Sequence, residues 1–134
     1  MADSASDLLA SIRTTIPDYP GYVDERGRLQ SDRLVRAWVG SCFADLRERL
    51  ASSIDGATAG ALDDVIFRSQ FPDQRYVAQI GHATISEAAE LHLMSIDKTL
   101  LSLAQDVCVT DGANLMRLIA EVNEAYDNRT PVSA

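Results

Sequence analysis

The sequence predicts an all-α fold: a single-domain bundle of five to six helices, with two long helices at about residues 31–54 and 84–107. Three observations carry this. Apolar residues recur at spacings of three and four along nearly the whole chain, the period of a one-sided helix. Capping signals and Pro or Gly breakers divide that pattern into segments of helical length. No pair of stretches alternates apolar and polar residues as two strands would. A chain of 134 residues fits one domain and can bury a core.

The elements follow in order. Ser4 with Asp7 three residues later resembles a capping box, and Leu8, Leu9 and Ile12 give a short first helix its apolar stripe. Pro17 stops it, because the residue before a proline is pushed out of the helical region. Ser31 is a plausible N-cap for the second helix, whose stripe is Leu34, Val35, Trp38, Val39, Cys42, Leu46 and Leu50. Gly56 and Gly60 bracket a junction. A shorter helix carries Ala61, Leu62, Val65, Ile66 and Phe67 and ends at Phe71-Pro72, and another carries Tyr76, Val77 and Ile80 up to Gly81. Thr84-Ile85-Ser86-Glu87 then reads as a capping box. After it Ile85, Ala89, Leu93, Ile96, Leu100, Leu103 and Val107 form one narrow stripe, while Leu91, Met94 and Leu101 lie on nearly the opposite side. A helix apolar on two sides is central in a bundle, or it packs on one side against another subunit. Asp111-Gly112 opens the last helix, buried through Leu115, Leu118, Ile119, Val122 and Tyr126, and residues 129–134 read as a frayed tail.

Composition bounds the function. Net charge is −8, and residues 51–134 hold twelve acids against five bases. Nucleic-acid binding draws most of its affinity from Lys and Arg on phosphates, so this acidity argues against it. Arg26, Arg28, Arg33 and Arg36 cluster, but Asp24, Glu25 and Asp32 interrupt them. No apolar run approaches the roughly 20 residues that span a bilayer, and the N-terminus lacks the features of a signal peptide. The expected partner is therefore no membrane, and the expected location is the cytoplasm. Eleven of twelve basic residues are Arg, which together with abundant Ala suggests a GC-rich bacterial genome. Cys42 and Cys108 form no motif and read first as buried small hydrophobes, with a disulfide or a reactive thiol as the alternative.

Two histidines make histidine chemistry easy to audit. His82 follows Gly81 at a helix junction, and His92 lies at the edge of the long stripe. Both are candidate cofactor-binding residues, for haem or a metal, although no cofactor is the expected state. No metal site is expected, since Glu87 and Asp97 project about 80° apart on one helix and no Glu-x-x-His pair exists. There is no nucleophile elbow and no Gly-rich phosphate loop, so no catalytic residue is assigned and the reading leans away from an enzyme without deciding it.

By elimination the segment "PDYPGYVDERGR", Pro17 to Arg28, stands out. It is long for a bundle connection. Pro20-Gly21 suits a type II turn, and Tyr19 and Tyr22 flank it. They read first as clamps onto the helices and second as a partner surface. The expectation is a non-enzymatic interaction module (adaptor, regulatory or assembly subunit), with Tyr19, Tyr22, Leu91, Met94 and Leu101 as partner-binding candidates and a homodimer as the expected assembly. The alternatives are a small-ligand protein using His82 or His92, and an enzyme whose groups converge only in the fold.

Overall fold

A computed structural model describes residues 4–82 and 84–129, with the side chain of His82 outside that description. The chain forms α1 (Ala5–Arg13), α2 (Glu25–Arg49), α3 (Gly56–Gln70), α4 (Gln74–His82), α5 (Glu87–Val109) and α6 (Leu115–Asp127). Among the described residues there is no strand.

Four helices close a ring: α2 lies between α3 and α5, and α6 completes it by touching both α3 and α5. Arg36 reaches the Ser69 carbonyl at 3.1 Å and Arg47 meets Asp63 at 3.1 Å, which makes α2 and α3 an antiparallel hairpin. His92 reaches the Asn128 carbonyl at 3.1 Å, so α5 and α6 form a second. The hairpins stand side by side, with the C-terminal ends of α2 and α5 together where Arg49 bonds the Val107 carbonyl. The two shorter helices are outriggers, α1 against α5 and α4 against α2. Val35, Val39, Phe43 and Leu46 of α2 meet Leu62 and Val65 of α3, Leu93, Leu100, Ala104 and Val107 of α5, and Leu115, Leu118 and Val122 of α6. Each fully buried Leu or Val contributes about 1.5–3 kcal/mol.

The boundaries of the long helices differ from expectation for local reasons. Asp24, not Ser31, caps α2, its Oδ1 accepting the Gly27 N–H at 2.6 Å, so the helix starts six residues or so early. Ser31 is instead a buried mid-helix residue with a partner in the preceding loop. Ser86, not Thr84, caps α5, accepting the Ala89 N–H at 3.1 Å. Asp55 caps α3, which therefore runs through Gly56 and Gly60. The box at Ser4 and Asp7 forms as read.

The two apolar sides of α5 are both used within one chain. Leu93, Leu100 and Val107 face the ring, while Met94 and Leu101 are buried beneath α1 and the first loop.

Candidate functional site

The first loop is fastened inward. Gly21 has φ +85°, the positive value that the second central position of a type II turn requires. Ser31 Oγ donates to the Gly21 carbonyl at 2.8 Å and accepts the Gly21 N–H at 3.0 Å, so one hydroxyl holds both polar groups of the turn. Arg13 Nε donates to the Tyr19 carbonyl at 2.8 Å. Tyr19 and Tyr22 are buried, their rings edge to face with centroids 6.4 Å apart. Both hydroxyls donate to Asp97 Oδ2 at 2.6 Å. Such short bonds are characteristic of a phenol donating to a carboxylate.

Asp97 interrupts the buried face of α5 and is completely inaccessible. Its Oδ1 has no hydrogen-bond partner among the described residues, and neither does Tyr76 Oη from α4. Tyr22 lies near enough to Tyr76 to bias its titration, but without a hydrogen bond of good geometry. Burial pushes the Asp97 carboxyl up to about 7, against the opposing pull of Arg129 and the two tyrosine hydroxyls. Burial, reinforced by the Asp97 charge, also drives Tyr19 and Tyr22 far above the ordinary phenol range.

Asp32 of α2 is a second buried carboxylate, and this one is fully engaged. Arg36, one turn on, meets Oδ2 at 2.9 Å, and Arg129 meets Oδ1 at 2.7 Å. Arg129 stacks over Tyr76 at 4.3 Å and Tyr126 at 5.0 Å from the ring centroids. Tyr126 Oη in turn shares a 2.8 Å hydrogen bond with Ser69 Oγ. The expected frayed tail therefore does not begin at 129: Arg129 is 4 % exposed and ion-paired, although its Nε has no hydrogen-bond partner among the described residues. Residues 130–134 lie outside the described residues. Arg28 Nε donates to the Ile80 carbonyl at 2.6 Å, docking α4 on the start of α2. The arginine cluster near residue 30 thus splits, Arg28 and Arg36 turning inward while Arg26 and Arg33 stay exposed.

Chemically this interior is a set of ties. Asp97 gathers the loop, Asp32 gathers α2 and the end of α6, and Arg129 bridges to α4 through Tyr76. The sequence reading placed the tyrosines but missed Asp97, Asp32, Tyr76 and Arg129 as their network. An Asp at a position continuous with Leu93, Met94, Leu100 and Leu101 was the available signal, because a lone acid inside an apolar stripe demands partners.

The partner-binding candidates redistribute. Tyr19, Tyr22, Met94 and Leu101 are buried within the single chain, which withdraws them from any surface in this structure. Leu91 is half-buried and lines an open groove of about 620 Å³ with His92, Lys98 and Leu103. His92 is exposed rather than on an apolar wall, and His82 ends α4 with its side chain outside the described residues. Among the described residues no three His, Cys, Asp or Glu side chains converge as a metal site. No described helix is long and apolar enough to cross a membrane.

Two surface features were not anticipated. Phe67 and Phe71, at the end of α3, are 63 % and 57 % exposed and pack against each other with centroids 4.7 Å apart and the rings tilted by 36°. Cys108 is exposed instead of buried, and its Sγ lies 3.2 Å from Cys42 Sγ. No family model, curated protein or solved structure matches this chain.

Proposed function

We propose that the chain is a non-enzymatic interaction module, an adaptor, regulatory or assembly subunit that meets a protein partner at the C-terminal end of α3. The packed pair Phe67 and Phe71 carries this reading. Single exposed apolar residues are ordinary, but two large aromatics held against each other in solvent form a ready anchor of the kind that dominates interfaces. Their mutual packing fixes the rings before binding, which lowers the ordering cost of association.

The partner favoured by charge is a different protein with apolar anchors and a basic rim. Asp64 lies exposed one turn before Phe67 and Asp73 just beyond Phe71, Asp63 is paired with Arg47, Arg68 and Arg75 stand beside the same face, and the whole chain carries −8. Two copies of so acidic a protein repel, whereas a basic rim is attracted and steered. This moves the proposed contact away from Leu91, Met94 and Leu101. The engagement of Asp32 by two arginines and of Asp97 Oδ2 by two tyrosines supports the non-enzymatic side of the reading, since these contacts hold the helices and the first loop together.

The test is the double substitution Phe67→Ser with Phe71→Ser. Both side chains are exposed, so the thermal midpoint should stay within a few degrees of the parent's. A partner captured from the source cells, then purified and titrated by calorimetry, should bind the variant at least about tenfold more weakly, as expected for an aromatic anchor. Equal affinity for both proteins would remove the proposed face. A parent that sediments as a dimer at tens of micromolar, dissociated by the double substitution, would replace the basic partner with a second copy.

A further inference from the structure

We infer that Cys42 and Cys108 are a redox-closable pair, oxidised by a small disulfide such as glutathione disulfide to an intramolecular bond that staples α2 to the end of α5. These are the chain's two cysteines, they lie 66 residues apart in sequence, and the fold brings their sulfurs to 3.2 Å. A disulfide requires a sulfur separation near 2.0 Å, so the atoms must close by about 1.2 Å. Cys108 stands in the last turn of α5, one residue before the helix ends at Val109. There the last carbonyls lack intrahelical partners and are held by the Arg49 side chain instead, so a shift of Cys108 breaks no helical bond at those carbonyls.

The two thiols have different surroundings, which assigns an order of events. Cys108 is exposed and Cys42 is buried. Both line a surface cleft of about 540 Å³ with Asp45, Glu48 and Arg49. Arg49 bonds the Cys108 carbonyl at 3.3 Å and the Val107 carbonyl at 3.4 Å, which holds a guanidinium beside the entrance to the pair. That cation suits a carboxylate of glutathione, while Asp45 and Glu48 oppose it. Burial and the neighbouring Cys108 push the Cys42 thiol up to about 12, so Cys42 is the poorer first nucleophile.

The step balances as ordinary thiol–disulfide exchange. The Cys108 thiolate attacks one sulfur of the small disulfide, whose S–S bond breaks and releases one small thiol. Cys42, losing its proton to water, then attacks the Cys108 sulfur of the mixed disulfide, and the second small thiol leaves. Two protein thiols are oxidised and one small disulfide is reduced to two thiols. The product closes a long loop between two helices of the ring, the geometry in which a cross-link restricts the unfolded chain most.

The experiment equilibrates the purified full chain with glutathione disulfide and then quenches it with an alkylating agent. The parent should go from two free thiols to none, lose the mass of two hydrogens, remain monomeric on a non-reducing gel, and unfold at a higher urea concentration than when reduced. Cys42→Ser should stop at a stable glutathione adduct on Cys108. Cys108→Ser should take up no glutathione while folded. A parent that halts at a mixed disulfide, that forms disulfide-linked dimers, or that unfolds at the same or lower urea concentration once oxidised overturns the inference. The thiol count of the parent decides the matter even if a serine variant folds poorly.

Discussion

Asp97→Asn tests the central feature of the interior, a buried acid whose carboxyl stands at about 7. An unfolded chain holds an Asp near 3.9. Between those two values the folded protein keeps its proton and the unfolded chain does not. Stability from this group is therefore fully present below about pH 4, declines as pH rises, and levels off above about 7. Some three units at 1.36 kcal/mol each give about 4 kcal/mol in all, more than half of which falls between pH 5 and 8. Complete burial leaves no solvent screening to discount. The groups facing the carboxyl are Tyr19 and Tyr22 from the loop, Tyr76 from α4, Arg129 beyond α6 and Asp32 from α2. All of them are present in both proteins, and Asn can still accept both tyrosine hydroxyls through its Oδ1. The difference between parent and variant therefore isolates Asp97. Urea unfolding followed by circular dichroism at pH 5, 6, 7 and 8 should show the parent losing about 2–3 kcal/mol relative to the variant across that range. A flat difference, or one that grows in the parent's favour as pH rises, would mean that the tyrosines and Arg129 outweigh burial, and the reasoning would fail.

Two further outcomes follow from packing and backbone geometry. Arg129→Ala removes one of the two cations from buried Asp32, and because Arg36 remains, the expected loss is at the lower end of the roughly 3–5 kcal/mol range for a broken buried pair; a loss under about 1 kcal/mol in chemical denaturation would show that Arg36 alone suffices. Gly21→Ala places a Cβ at positive φ and 3.1 Å from Leu9, costing about 1–2 kcal/mol, whereas Gly60→Ala, exposed in α3 with nothing within 4 Å, should stabilise by about 0.5–1 kcal/mol; equal effects in thermal melts would contradict the assignment of the turn.

The helices were legible because their burial follows one period. The predicted face of α6, Leu115, Leu118, Ile119, Val122 and Tyr126, is buried without exception. The turn at Pro20-Gly21 was legible too, since its chemistry is local. Helix starts were not, because several oxygen-bearing side chains compete for each cap: Ser31 and Asp24 are both plausible, and the choice depends on Ser31 finding Gly21 instead. Tyr19 and Tyr22 could be assigned to a clamp, but not to an acid some 75 residues away. Asp97 reads as interior from its place among Leu93, Met94 and Leu100, but nothing local names the partners it finds there. Arg129 was hidden by its position, since a polar stretch after the last helix reads as tail. The contact between Cys42 and Cys108 depends on two helices ending side by side, which no spacing encodes.

Asp32 also implies an order of assembly during synthesis. Arg36 is made four residues later and can join it as soon as α2 forms. Arg129 follows 97 residues later, after every helix of the ring has been made. Until then one oxygen of a carboxylate destined for the interior has no partner, and Tyr76 and Tyr126 lack the guanidinium that lies over them. A chain still on the ribosome, or one cut between Asp127 and Arg129, would keep its helices but hold this corner open. Arg129, made last of the residues in this corner, thus acts as the latch that closes it.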